Sequence, residues 1–356
     1  MALRYPTPRE LVEALQQRGD GARAQLHELL CEPLGRLMDG LRTRHRLSHK
    51  QEFLTRHALH AAETYLRTRP ISRLASLNWS AFRASVLLHV AKLAAQPFGQ
   101  TSGSMLPPEP LPESPHYQSE AYFLPHERIG DYWFGGDWFG GLEAADGSLW
   151  VLVADITGHG YYAYLMASTL PSVWRRCWES APASPAELLA VMHELLHDCL
   201  PEGVYVECTL VRLHPDGEAV AAPAGGSRLL LSRRQPNGPV LLKLRGTWLG
   251  LSAPSPGDQR SWQLEDGDEL LLATDGMFDQ LHEDDDNGLV DRLVRAIGED
   301  GLFPCVRGLL REALERAPQK DDITMVLLRR RTRVPGASAP APRADLSPNE
   351  FGDVPV

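Results

Sequence analysis

Apolar positions divide the chain into two textures. Between Gly21 and Leu41, Leu26, Leu29, Leu30, Leu34, Leu37, Met38 and Leu41 recur at three- and four-residue steps, the spacing of one helix face. Pro33 interrupts this stripe, so the segment is expected either to kink there or to split into two short helices. A second run holds Phe53, Leu54, Leu59, Ala62, Tyr65 and Leu66 and stops before Pro70. A third opens at Asn78, a good N-cap, and carries Trp79, Phe82, Val86, Leu87, Val90 and Leu93. Residues 1–98 therefore read as an all-α domain, three or four helices packed as a small bundle. The stretch 99–117, with Pro107, Pro108, Pro110, Pro112 and Pro115, reads as a linker.

From about Gln118 strands, turns and helices alternate. Trp150 to Ala154 is a short apolar run ending at Asp155, as a buried strand would, and Asp146-Gly147 before it predicts a hairpin turn. Further strands are expected at 204–213, 228–232, 240–244, 269–273 and 323–328. Helices are expected at 163–174 with a break or kink at Pro171, from the Ser184-Pro185-Ala186-Glu187 capping box towards Leu200, at 289–297 and at 306–316. Strands clustered between helix pairs indicate a layered α+β domain over 118–330 rather than a doubly wound parallel sheet. The Pro- and Ala-rich tail, 331–356, lacks periodicity and reads as disordered.

Composition narrows the class without fixing a function. Hydrophobic residues make up 43% of the 356 positions and charged residues 23%, ordinary for a globular protein. No apolar run approaches the roughly 20 residues that cross a bilayer, and no secretory leader is evident, so a cytoplasmic protein without membrane contact is expected. Five cysteines with no C-x-x-C pair argue against a disulfide framework or a cysteine zinc site. Residues 1–100 hold 15 Lys and Arg against 8 Asp and Glu, while the remainder is strongly acidic. That basic surplus is thinly spread and reads as solvated helix faces rather than a nucleic-acid surface.

Four short motifs place aspartates where strands end or turns begin: Gly135-Gly136-Asp137, Asp155-Ile156-Thr157-Gly158-His159-Gly160, Thr274-Asp275-Gly276 and Asp321-Asp322-Ile323-Thr324. Hard cations such as Mg²⁺ and Mn²⁺ take carboxylate and carbonyl oxygens plus retained waters. Converging carboxylates repel one another, and a polyvalent cation neutralises them. A single Asp-Gly is usually a turn, and Asp146-Gly147, Asp216-Gly217 and Asp266-Gly267 are read so. Asp155 and Asp275 differ because each follows an apolar run.

The order Gly-Gly-Asp-Trp-Phe at 135–139, Asp-Ile-Thr-Gly-His-Gly at 155–160, Leu-Leu-Ala-Thr-Asp-Gly at 271–276 and Asp-Asp-Ile-Thr at 321–324 resembles the metal-dependent protein phosphatases. Within the protein phosphatase 2C superfamily it is similar to the stage II sporulation protein E branch, over about residues 118–330. The resemblance implies two packed antiparallel sheets flanked by helices, an α-β-β-α sandwich, and a centre of two Mn²⁺ or Mg²⁺ ions. It implies that Asp155 bridges the ions with help from the Ile156 carbonyl, that Asp275 and Asp322 hold one and Asp137 the other, and that Asp321 only tunes its neighbour. A water held between the ions by Asp155, Asp137 and Asp275 would attack phosphorus in phosphoserine or phosphothreonine. The substrate implied is a phosphorylated protein of a bacterial partner-switching pathway, such as an anti-sigma-factor antagonist. Regulation is expected to act through the helix from Ala163. The branch usually has an acidic residue where Gly140 stands, and Arg128 is the candidate phosphate-binding arginine. The alternative is an inactive binding module of the same fold.

Three further features carry competing readings. His193-Glu194-Leu195-Leu196-His197 matches the zinc-protease signature, yet no third ligand follows, and a partly exposed helix face is preferred. His159 lies four residues after Asp155 and is read as structural rather than as an acid. The scattered tryptophans are read as core, and the Leu stripe at 26–41 as bundle core in preference to an oligomer seam through these helices.

Overall fold

The structure, a computed structural model, describes residues 4–332 apart from 18–20, 46–50, 69–76, 96–110, 130–131, 159, 181, 198–199, 201–202, 234–237, 253, 256–257, 282–285 and 299–300. Most of the expected linker and nearly all of the expected disordered tail lie outside the described residues. The N-terminal part is helical throughout its described length: α1 (Pro8–Gln16), α2 (Ala22–His45), α3 (Gln51–Thr68) and α4 (Trp79–Ala95). Thr7 caps α1 by accepting the Glu10 N–H while Glu10 returns the bond to the Thr7 N–H. Of the two outcomes expected at Pro33, the split into two helices does not occur. α2 runs through it, because one missing amide bond costs less than the burial of Leu26, Leu30, Leu34 and Met38 gains. These stripe residues fill the core of the bundle within this chain.

The second part contains β1 (Tyr117–Leu124), β2 (Glu127–Ile129), β3 (Tyr132–Phe134), β4 (Trp138–Glu143), β5 (Leu149–Ile156), α5 (Gly160–Ala167), α6 (Leu170–Trp178), α7 (Pro185–His197) and β6 (Val206–Leu213). It continues with β7 (Glu218–Ala224), β8 (Arg228–Ser232), β9 (Pro239–Lys243), β10 (Arg260–Gln263), β11 (Glu269–Ala273), α8 (Asp275–Leu281), α9 (Asp286–Ala296), α10 (Leu302–Arg316) and β12 (Ile323–Arg330). One five-stranded sheet runs β1-β12-β11-β8-β9 and the other β10-β7-β6-β5-β4, all pairs antiparallel, with β2-β3 a separate ribbon. The implied sandwich is present.

Side-chain alternation builds its layers. Leu149, Val151 and Val153 of β5 meet Leu270 and Leu272 of β11 and Val326 and Leu328 of β12 between the sheets. The opposite parity of β5, Trp150, Leu152, Ala154 and Ile156, faces α5–α7. Leu271, Met325 and Leu327 face α8–α10 on the other side. Both faces of each sheet are covered, which is why these strands read as continuous apolar runs.

Several local expectations find a physical explanation. The break near Pro171 falls at Ser168-Thr169, whose hydroxyls donate to the Leu165 and Met166 carbonyls, and Pro171 sits in the first turn of α6 where no amide is needed. Ser184 accepts the Glu187 N–H at the start of α7. Asp146 and Asp216 each accept an amide two residues on, Ser148 and Glu218, so both pairs are turns. Strands β7 and β10 and helix α8 carried no sequence signal: β10 is a four-residue edge and β7 is alanine-rich.

The bundle is not a detached appendage. Leu54, Phe82 and Val90 share one apolar cluster with Tyr164, Leu165, Trp174 and Leu188 of α5–α7. Tyr161 and Tyr164 donate their hydroxyls to the Ala94 and Leu93 carbonyls at 2.8 and 2.9 Å, satisfying the open C-terminal turn of α4. Among the described residues no helix is long and apolar enough to cross a membrane, and the four described cysteines are free. Emptying the fully buried Leu152 site by Leu152→Ala is expected to lower the unfolding free energy by about 2–5 kcal/mol, measured by urea denaturation.

Candidate metal centre

The strand ends deliver the aspartates to one rim. Asp137 immediately precedes β4, and Asp155 is the penultimate residue of β5, its antiparallel partner. Asp275 opens α8 just after β11, and Asp321-Asp322 immediately precede β12, antiparallel to β11. Starts and ends of antiparallel neighbours coincide, so each sheet contributes one acidic corner. Asp155 shares the parity of Val151 and Val153, which puts its side chain on the face between the sheets.

Asp322 fastens the two corners together. It is 2% exposed, and its two carboxylate oxygens accept the His126 and Gly136 N–H groups, each at 2.6 Å. The chain passes so close that a Cβ on Gly135 would stand 2.4 Å from Asp322 Oδ1, and one on Gly276 would stand 1.9 Å from the Asp322 carbonyl oxygen. The glycines of two motifs are thus required by the aspartate of a third. Asp137, also 2% exposed, accepts the Thr274 hydroxyl at 2.8 Å, while Thr274 Oγ1 accepts the Thr324 N–H at 3.0 Å. Asp155, Asp275 and Asp321 keep partial access to solvent.

The carboxylates influence one another's ionisation. Burial pushes the Asp137 carboxyl well above the ordinary carboxylate range, and the charges of Asp155 and Asp322 push it further. Asp155 is raised strongly by burial and then by Asp275, Asp321, Asp322 and Glu207. Asp275 is raised to about 6 by burial, then by Asp321, Asp279 and Glu207, against the lowering effect of Arg228. Asp322 is raised to about 6 mainly by burial, with its two backbone amides working the other way. Glu63 in the bundle shows the usual arrangement instead. Burial disfavours its charge, yet His27, Arg23 and Arg67 together hold its pKa below the ordinary value. A buried acid normally brings its cations. At the rim the acids face each other.

This donor set fits a hard divalent cation. Its side-chain donors are all oxygen, and the like charges need neutralising. Among the described residues no three His, Cys, Asp or Glu side chains already stand close enough to cage an ion. A cation held there would keep waters and could take backbone oxygen as well, the habit of Mg²⁺. The Ile156 carbonyl is at the right strand end, against Gly136.

The structure also places residues that motif reading missed. Glu207 on β6 is the register partner of Asp155, Asp279 lies one turn along α8 from Asp275, and Arg228 at the start of β8 pairs with Asp279 at 3.5 Å and stacks 4.3 Å over Phe278. None belongs to a short motif: Glu207 is placed by cross-strand register, Asp279 by one helical turn and Arg228 by its ion pair with Asp279. Arg128 sits on β2 opposite Trp133, its side chain outside the described residues, as is His159. The Trp138 ring covers Gly140, and a Cβ there would stand 2.4 Å from it. His193 and His197 of the zinc-protease signature turn their Nδ1 atoms to the backbone of Gly250, at 3.3 and 3.0 Å, and α7 serves as a packing helix.

Comparison with known proteins agrees with the fold. Residues 145–331, just over half of the chain, match the family described as Stage II sporulation protein E (SpoIIE). The structure of the RsbU and RsbW domains of a Mycobacterium tuberculosis protein is 25% identical with a TM-score of 0.53, the match covering 62% of this chain and 62% of that one. The chain thus spans less than two thirds of that relative. The SiaA-PP2C domain of Pseudomonas aeruginosa is 21% identical with a TM-score of 0.50, covering 59% of this chain and 85% of the other. The PP2C phosphatase domain with a fragment of the regulatory domain of SpoIIE from Bacillus subtilis is 16% identical with a TM-score of 0.50, covering 61% and 64%. The last two share the fold. No curated protein matches the sequence.

In the metal-free protein the raised pKa of Asp275 favours folding below about pH 4, a contribution lost as pH rises through about 6. Asp275→Asn should therefore stabilise the metal-free protein by about 2 kcal/mol at neutral pH, after allowance for solvent screening, with the gain vanishing towards pH 4. Thermal denaturation of both proteins in chelator across that range is the measurement.

Proposed function

Because the chain belongs to the stage II sporulation protein E family and has its PP2C-type fold, we propose that it is a metal-dependent protein serine/threonine phosphatase. The observation that carries this reading is the group of mutually repelling carboxylates at one rim of the sandwich, built from four separate segments. A protein that never bound cations would gain stability by losing Asp155 or Asp275, whose charge is opposed by burial and by neighbouring carboxylates.

Asp155 stands at the electrostatic centre of the group and suits the bridging position, with Ile156 offering its carbonyl. Asp275 and Asp137 flank it from the two sheets. Of the adjacent pair, Asp322 accepts two amides and anchors the rim, whereas the partly exposed Asp321, which accepts one amide, adds its charge to Asp155 and Asp275 and is the more open ligand. Bound there, Mn²⁺ or Mg²⁺ would neutralise phosphoryl oxygens and supply an ionised water as nucleophile. The protein's own contribution is to hold the carboxylates at fixed strand ends, so that little reorganisation accompanies charge transfer. The RsbU-type relative supports a phosphoprotein of a partner-switching pathway as substrate.

The test is hydrolysis of p-nitrophenyl phosphate with and without Mn²⁺. Asp155→Asn is expected to lower kcat/KM on the order of 10³-fold, the loss of several kcal/mol of metal-borne stabilisation. Asp321→Asn should raise the Mn²⁺ concentration for half-maximal rate, roughly 10- to 100-fold if it is a ligand. Asp322→Asn should chiefly lower the melting temperature. A wild-type chain inert at saturating Mn²⁺ would favour the inactive binding module instead.

A further inference from the structure

Trp138, Trp150 and Trp174 are buried, as their sequence setting suggested, but Trp248 is 43% exposed and Leu251 beside it 49%. Exposed tryptophan on a flexible loop would mean little. This turn, however, is pinned on three sides. Leu249 exchanges two backbone hydrogen bonds with Val206 of β6, both at 3.0 Å. The Gly250 N–H donates to His193 Nδ1, and His197 Nδ1 donates to the Gly250 carbonyl. The Leu251 and Ser252 amides both donate to the Trp248 carbonyl. The histidine pair of α7 is thereby explained as a clamp on this turn.

The indole N–H of Trp248 donates to Glu207 Oε2 at 3.0 Å. Glu207 is the register partner of Asp155, and its charge acts on both Asp155 and Asp275. Register partners stand about 5 Å apart with side chains on one face. The exposed face of the indole therefore lies on the order of 10 Å from the carboxylates, about three residues of extended chain. A rigid apolar pair left in water at that distance loses little entropy on binding and gains by being covered.

We infer that Trp248 and Leu251 form a specificity subsite that receives an apolar side chain lying two to four residues from the phosphorylated serine or threonine of an extended protein segment. The inference rests on the phosphatase reading for the identity of the segment, and the subsite itself takes no part in hydrolysis.

The test compares two labelled peptides containing a non-hydrolysable phosphonate analogue of phosphoserine, one with leucine at these flanking positions and one with glycine. Binding to the full chain is followed by fluorescence anisotropy in Mn²⁺, alongside turnover of p-nitrophenyl phosphate. The leucine peptide is expected to bind about tenfold more tightly. Trp248→Ala should erase that difference, Leu251→Ala should reduce it, and turnover of the small substrate should stay within about twofold in both. If the preference is absent, or survives Trp248→Ala, the subsite does not exist, whatever the turnover. If Trp248→Ala lowers small-substrate turnover as much as peptide binding, Trp248 acts through Glu207 on the carboxylates and the inference also falls. A chain inert towards p-nitrophenyl phosphate that still shows the preference, lost in Trp248→Ala, would overturn the phosphatase reading and leave the subsite standing.

Discussion

Burying several carboxylates within reach of one another is unfavourable twice over, through lost hydration and through mutual repulsion. The rim of this sandwich contains that arrangement, and much of its local structure follows from holding it. Asp322 occupies the tightest position, with two amides at 2.6 Å and the glycines of two other motifs pressed against it. Asp137 is held from the opposite sheet by Thr274, which is itself tied to β12 through Thr324. These neutral donors fix the carboxylates without discharging them.

Such a rim needs a stiff support. The continuous apolar strands provide it, because every sheet face is covered either by the other sheet or by helices. Strain at the acidic end is resisted by a close-packed core whose side chains have few alternative places to go. The support extends further on one side. The N-terminal bundle joins the same apolar cluster as α5–α7, and the tyrosines of α5 complete the last turn of α4. α5 begins five residues after Asp155, so the bundle's nearest mechanical neighbour is the segment that follows the central aspartate.

The contrast between Glu63 and the rim aspartates separates two uses of buried acid in one chain. Glu63 sits among Arg23, Arg67 and His27, and its ionisation is favoured. It knits α2 to α3. Among the described residues the cationic groups acting on the rim aspartates are Arg228, whose charge is shared with Asp279, and His126 beside Asp322. The same comparison distinguishes the histidines: those of α7 are spent on the backbone of Gly250, where they shape an exposed apolar turn near the acidic rim.

The sequence alone determined the helical first part, the buried strands β5, β6, β8, β11 and β12, and the four aspartate motifs, because each depends on local spacing or on residue types with few alternatives. It also determined that Trp138, Trp150 and Trp174 are core. Only the tertiary structure decided that α2 passes through Pro33, since burial along the whole stripe outweighs one lost bond. Only it distinguished Asp321 from Asp322, neighbours in sequence whose side chains meet different surroundings, one partly open among carboxylates and the other sealed by amides. Glu207 became visible through cross-strand register, and Arg228 and Trp248 through their contacts with Asp279 and Glu207, which join residues that no short motif connects. Periodicity is a property of a segment and can be read from it. Which charges share a dielectric environment is a property of the packed whole, and folding alone assigns it.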